Sequence, residues 1–265
     1  MLDRYNRNIN YLRISVTDRC NLRCMYCMPT EKVKFMPAEQ ILTLNEIVEV
    51  TKVAVSLGIR KIRLTGGEPL MRPDILEIVR GIRNIDSIDE ICLTTNGTRL
   101  ARLASELKKA GLTRVNISLD SLQPQKFNRI TRGNLSDVLD GIDAALESQL
   151  VPVKINFVRI KGVNEQDEQE VKKFCEKKGL KIRFIRQMNL QTGEFFPVEG
   201  GDGGVCNICN RIRLTANGII KPCLFSSNGY SIRKMGIEQA FLRAINQKPI
   251  KGGINQDSSF YNIGG

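Results

Sequence analysis

The chain has no histidine in its 265 residues. That absence excludes Ser-His-Asp and Cys-His catalysis, imidazole acid–base chemistry and every His-ligated metal site. Any metal must be held by cysteine or carboxylate. No stretch approaches the roughly 18 uncharged apolar residues of a membrane-spanning helix, and the opening residues MLDRYNR lack the apolar run of a signal peptide. No membrane partner is expected. Eight cysteines are too few for a disulfide scaffold of this length, so the expected compartment is the reducing cytoplasm. What is present, 42% hydrophobic and 26% charged residues, is the composition of a soluble globular protein. The length suits one large domain, or one with a smaller appendage. Forty basic side chains against 28 acidic ones leave a formal charge of +12. Composition alone favours a solvated basic surface over a nucleic acid or polyanionic ligand, because no helix-turn-helix, RNP or zinc-finger pattern accompanies the charge.

Up to about residue 190 the sequence repeats one unit: a short β-branched run, a polar turn, an amphipathic stretch. The runs Tyr11–Val16, Lys61–Leu64, Glu90–Thr94, Arg114–Leu119, Val153–Val158 and Lys181–Ile185 predict strands. The stretches Leu44–Leu57, Asp74–Arg83, Leu100–Ala110, Val138–Gln149 and Glu168–Lys178 predict helices. Six such units imply an α/β fold with a parallel sheet, either doubly wound or a partial (β/α)6 barrel of TIM type. The unusual residues decide for the barrel. Cys20, Cys24 and Cys27 follow the first strand, Thr65-Gly66-Gly67-Glu68-Pro69 the second, Thr95-Asn96-Gly97 the third, and Ser118-Leu119-Asp120 closes the fourth. A barrel builds its site from many strand ends, whereas a doubly wound sheet concentrates it at one switch point. Residues 1–190 are therefore expected to form the barrel. Glycine-rich Gly193–Gly204 reads as a flexible linker, opening a C-terminal region, 191–265, that is too small for a core of its own and carries a helix near Ile237–Ile245.

Cys20-x-x-x-Cys24-x-x-Cys27 places three thiolates within eight residues. Structural zinc wants a fourth ligand, and neither histidine nor a nearby cysteine supplies one. A 4Fe–4S cluster held by three thiolates leaves one iron open to another molecule. Gly66-Gly67 would let backbone approach a ligand closely, and Glu68 offers an acceptor to an ammonium. In this combination the sequence resembles the radical S-adenosylmethionine (SAM) superfamily. The resemblance implies that Tyr26 is the motif's usual aromatic and that the Gly-Gly-Glu-Pro run holds the amino group of SAM. It also implies the chemistry: the open iron chelates SAM, one electron cleaves the sulfonium, and a 5′-deoxyadenosyl radical takes hydrogen from substrate. The cofactor performs the hard step, and the protein positions and shields it.

A second group, Cys206-x-x-Cys209 with Cys223 beyond it, again lacks a fourth ligand. It reads either as a zinc knuckle completed by Cys92 or Cys175, or as a second three-cysteine 4Fe–4S site whose open iron binds substrate. With both groups present, the sequence resembles the GTP 3′,8-cyclase family of molybdenum cofactor biosynthesis. The likeness runs through Leu12–Cys20, Lys61–Leu70, Thr94–Gly97, Asn116–Asp120, Cys209–Leu214 and Tyr261–Gly265. It implies a lyase with two 4Fe–4S clusters and SAM as cofactors and GTP as substrate. An electron donor such as flavodoxin or ferredoxin is implied as partner, and a homodimer is compatible with it; no nucleic-acid partner is expected.

By matching position, Arg13, Arg63, Thr94, Lys154, Arg211 and Arg213 are implied GTP contacts, and Gly67, Ser118 and Met188 join Tyr26, Gly66 and Glu68 around SAM. Arg183 is a further candidate. Arginine forks pair bidentately with phosphate oxygens, and strand-borne Arg13 and Arg63 need a partner for their charge. Without the family, Arg211 and Arg213 read as a solvated basic edge. Gly264 and Gly265 are implied to enter the active site as a side-chain-free tail, anchored by Phe260 and Tyr261. The pattern departs from the family between Met188 and Cys206, where only 17 residues stand and the family has several dozen more. Two alternatives stay open: a radical SAM enzyme with an auxiliary cluster acting on a peptide or other small molecule, and a zinc-stapled basic nucleic-acid binder.

Overall fold

The structure, a computed structural model, describes residues 1–28, 33–256 and 259–263. Six strands, β1 (Tyr11–Ser15), β2 (Lys61–Thr65), β3 (Glu90–Thr95), β4 (Arg114–Ser118), β5 (Lys154–Arg159) and β6 (Lys181–Arg186), lie parallel and adjacent in chain order. Their order shows no reversal from β1 to β6, so the doubly wound alternative falls and the partial barrel stands. Between them run α1 (Leu44–Ser56), α2 (Ile75–Arg83), α3 (Leu100–Lys109), α4 (Pro124–Thr131), α5 (Leu135–Glu147) and α6 (Glu168–Lys177). Helix α1 begins at a capping box, Thr43 and Glu46 each satisfying the other's backbone N–H. Helix α4 went unforeseen: its eight residues, opened by Pro124, are too few for periodicity to register.

The chain then crosses from β6 to β7 (Arg211–Leu214), which pairs parallel on the free side of β1. Short β8 (Ile219–Lys221) and β9 (Tyr230–Ser231) continue antiparallel, leaving β6 and β9 as the edges of one open sheet. Helices α7 (Ile232–Met235), α8 (Ile237–Asn246) and α9 (Phe260–Ile263) complete the described chain. Ile212, Leu214, Ile220 and Phe241 share one apolar cluster with Leu12 and Ile14, so the C-terminal residues extend the barrel's own core. Among the described residues no helix is long and apolar enough to cross a membrane.

Strand side chains alternate between faces. Leu12, Ile14, Ile62, Leu64, Leu93, Val115, Ile117, Ile155 and Phe157 are fully buried beneath the helices, each contributing roughly 1.5–3 kcal/mol relative to exposure. The intervening positions face inward and are mostly polar. Residues 193–204 correct one expectation. They are no loose tether: Phe184 and Glu199 exchange backbone hydrogen bonds at 3.1 Å, and Val198 N–H donates to the Gly203 carbonyl at 2.8 Å. A Cβ on Gly204 would stand 2.1 Å from the Phe196 carbonyl oxygen. The segment packs along β6 and walls the barrel.

Candidate active site

A cavity of about 680 Å³ occupies the barrel interior, lined by alternate residues of seven parallel strands. Both cysteine groups border it, as do all the implied SAM and GTP contacts apart from Gly264 and Gly265, which lie outside the described residues.

The first wall is the loop after β1. Cys20, Cys24 and Cys27 are free thiols, each half-buried. Burial pushes all three upward, Cys27 to about 12, and Cys20 further opposes the ionisation of both Cys24 and Cys27. Among the causes acting on Cys24 and Cys27 from the described residues none is a cation, and three adjacent thiolates there call for metal. Among the described residues no three Cys, Asp or Glu side chains converge as ligands of one ion do. Three thiolates on a single loop, facing a cavity, suit the separate corners of a polynuclear cluster. The donor set fits a 4Fe–4S group with three protein ligands.

Gly66 and Gly67 line the cavity and also serve a second purpose. A Cβ on Gly66 would sit 2.3 Å from the Thr17 carbonyl oxygen and one on Gly67 2.4 Å from that of Arg19. Gly67 N–H donates to Thr17 at 2.7 Å and Glu68 N–H to Arg19 at 2.8 Å. The glycines let this loop press directly on the backbone that leads into Cys20. Glu68, 1% exposed, accepts from Leu70 N–H at 2.9 Å, the Thr95 hydroxyl at 2.7 Å and Asn96 N–H at 2.7 Å. Burial raises its carboxyl to about 7 despite these donors. It thereby fastens the ends of β2 and β3 while still bordering the cavity. Tyr26 donates to Asp120 at 2.8 Å, and Asp120 accepts Val158 N–H at 2.8 Å; burial lifts the Asp120 carboxyl to about 6. Ser118 and Met188 are half-buried in the lining.

The cavity is strongly basic. Ten basic side chains line it against Glu68, Asp120 and Asp202, so much of the net positive charge read as solvated surface is turned inward. In the β2–β1–β7 register, Arg63, Arg13 and Arg213 stand side by side, with Lys61, Tyr11 and Arg211 in the next row. Arg63, 4% exposed, donates to the Tyr11 hydroxyl and, at 3.0 Å, to Thr94 Oγ1. Burial, then Arg213, Arg63 and Arg211, holds Arg13 well below its ordinary range. Burial and Arg211 bring Arg213 down to about 10. Burial, Arg114, Arg183, Lys61 and Lys181 lower Lys154 to about 8. Like charges directly opposite in a sheet are destabilising, and an anion placed among them relieves that repulsion. The solvated-edge reading of the last two arginines is corrected: Arg213 is 6% exposed, and Arg211 pairs with Asp202 at 2.6 Å.

The opposite wall carries Cys206, Cys209 and Cys223, all free and half-buried. Neither cysteine suggested as a zinc partner joins them. Cys92 donates to Glu90 at 2.8 Å in β3, and Cys175 is packed in the core. Reading the sequence missed Lys61, Arg114 and Lys248 in the lining. For the first two a signal existed, polar residues at alternate positions of strands otherwise apolar; for Lys248 there was none.

Residues 14–175 match the model of the radical SAM superfamily. A GTP 3′,8-cyclase of Listeria welshimeri is 43% identical over 296 residues, which cover 94% of this chain and 89% of that relative. The GTP 3′,8-cyclase of Syntrophomonas wolfei is 40% identical over 326 aligned positions covering all of both chains. An alignment that long, against 265 residues here, leaves dozens of positions in the relative without a counterpart. Among solved structures, anSMEcpe with bound AdoMet superposes with a TM-score of 0.63 at 16% identity, over 90% of this chain and 81% of that one. Streptococcus suis SuiB bound to S-adenosylmethionine gives 0.57 at 12% identity, over 92% and 65%. Both are alike in fold. Cysteine loop, barrel and near full-length likeness agree: this chain belongs to the GTP 3′,8-cyclase family of the radical SAM superfamily.

Proposed function

We propose that this chain converts GTP to (8S)-3′,8-cyclo-7,8-dihydroguanosine 5′-triphosphate in molybdenum cofactor biosynthesis. The observation that carries the reading is the row Arg63–Arg13–Arg213 in a cavity that both cysteine trios line. A triphosphate's several negative charges match such a row, and guanidinium forks bind its oxygens in pairs. Cys20, Cys24 and Cys27 hold one 4Fe–4S cluster, and Cys206, Cys209 and Cys223 hold a second that faces the substrate. When bound, the first cluster supplies the electron that cleaves SAM, drawn from a flavodoxin- or ferredoxin-type donor. The chain's own residues bind and orient. Gly66, Gly67 and Glu68 brace the cysteine loop from beneath and, with Tyr26, Ser118 and Met188, border the SAM position. Arg13, Arg63, Thr94, Lys154, Arg211 and Arg213 hold the nucleotide so that hydrogen leaves ribose C3′ and C3′ bonds to guanine C8. Phe260 lines the cavity and Ile263, 2% exposed, packs with Leu190 and Phe225. A second copy of the chain as homodimer partner belongs to the same reading.

Anaerobic turnover with SAM, reductant and GTP deuterated at ribose C3′ tests it. Deuterium appearing in 5′-deoxyadenosine, with a new nucleotide resolved from GTP by chromatography, is expected. The positions missing relative to the cyclases favour a second reading, a radical SAM enzyme with an auxiliary cluster for a peptide or other small molecule. SAM cleavage that never draws deuterium from GTP would decide for that one.

A further inference from the structure

Lys248, 1% exposed, stands beneath the second cysteine trio. Its Nζ donates to the Arg211 carbonyl at 2.7 Å and the Pro222 carbonyl at 2.8 Å. One carbonyl lies two residues past Cys209 and the other directly before Cys223. Lys248 borders the same cavity as Cys209 and Cys223. An ammonium has three donors, and two of them are directed at the frame of this site.

The next two residues are held just as firmly. Arg7, ion-paired with buried Asp3 at 2.6 Å, donates to the Pro249 carbonyl at 2.8 Å, to that of Ile250 at 3.3 Å and to that of Cys206 at 2.9 Å. Residues 248–250 therefore tie together the backbone at all three cysteines. At the first trio, Arg23 caps the carbonyls of Cys20 and Leu22, both at 2.8 Å, and among the described residues no lysine spans its ligand backbone as Lys248 does at the second. Among the described residues the two sites are thus framed by different cations, Arg23 at one and Lys248 with Arg7 at the other. Reducing a thiolate-ligated cluster adds negative charge to it, and a buried cation favours the reduced state.

We propose that Lys248 is a positioning residue of the second cluster, holding its ligand loops together and raising its reduction potential. This rests on the two-cluster reading above. The test uses the full anaerobically reconstituted chain, Lys248→Gln and Lys248→Arg. Iron, sulfide and zinc content are measured, with a redox titration followed by electron paramagnetic resonance. Lys248→Gln is expected to lower the reduced-to-oxidised ratio of the second cluster about tenfold at fixed potential, a shift of about 59 mV for one electron. The first cluster serves as internal reference and keeps its midpoint, and Lys248→Arg restores the second. Loss of the second cluster in the Gln variant alone also supports the assignment. It is overturned if the Gln variant titrates as wild type, or if Gln and Arg variants lose the fold or the cluster equally. Wild-type protein holding iron and sulfide for one cluster only, or zinc at the second site, overturns the two-cluster reading itself before any variant is made.

Discussion

Arg13 and Arg63 stand directly opposite each other in the β1–β2 pairing, and Arg213 flanks Arg13 on the other side. Adjacent strands are about 4.8 Å apart, so three guanidinium side chains repel across one sheet. All three line the cavity, where a polyanion would meet them together. Arg13→Gln removes the central cation of this row. The same change should weaken triphosphate binding at least tenfold, and the remaining affinity should fall less steeply with added salt. Unchanged binding would show that the row serves another ligand.

Lys154 makes the cavity's charge sensitive to pH. Burial and the cations Arg114, Arg183, Lys61 and Lys181 bring its ammonium down to about 8 from an ordinary 10.5. A bound triphosphate favours the charged form and moves this value upward. Binding above pH 8 should consequently take up a proton, and affinity should fall as pH rises. Titration calorimetry at pH 8.5 in buffers of different ionisation enthalpy measures the uptake, and Lys154→Gln should abolish it. The ligand-free fold behaves oppositely. A lowered lysine penalises the fold below pH 8, and that penalty disappears between pH 8 and the unfolded value.

The two cysteine trios separate two activities. Cys24→Ala should remove the first cluster and with it all reductive SAM cleavage, leaving iron and sulfide for one cluster. Cys209→Ala should retain SAM cleavage uncoupled from substrate while losing the cyclised nucleotide. Iron analysis beside 5′-deoxyadenosine and nucleotide chromatography gives both readouts. Parallel loss of the two activities in Cys209→Ala, with the first cluster intact, would contradict this division.

Much of the barrel was legible because its signals are local. Lys61-Ile62-Arg63-Leu64 shows its alternation within one strand, and the Cys20–Cys24–Cys27 spacing lies within one loop. What escaped depends on distant partners. Strands β8 and β9, three and two residues long, are too short to show a period and exist through pairing with neighbours already in place. Lys248 reaches across 37 and 26 residues to its two carbonyls, and nothing beside it in sequence marks that reach. The glycine-rich 193–204 segment misled for a related reason. Glycine permits flexibility, but here it permits contact, as with Gly200, where a Cβ would meet the Ile182 carbonyl oxygen at 2.6 Å.

The same distinction governs Gly66. Its φ of 150° and the Thr17 carbonyl 2.3 Å from where a Cβ would sit leave no room for alanine without separating two backbone segments. Neither segment is a flexible side-chain end that could swing aside. Gly66→Ala should cost about 1–3 kcal/mol of stability, measured by denaturant titration of the ligand-free protein. Its functional effect should exceed that loss. Displacing Thr17–Arg19 shifts the entry to Cys20, and displacing Gly67–Glu68 loosens the contacts to Thr95 and Asn96 that join β2 to β3. Both walls of the SAM position move together. The variant should therefore retain less iron after reconstitution and bind SAM at least tenfold more weakly, while triphosphate binding at the Arg13 row changes little. A variant that folds with full iron content and normal SAM affinity would show that the loop contact is dispensable.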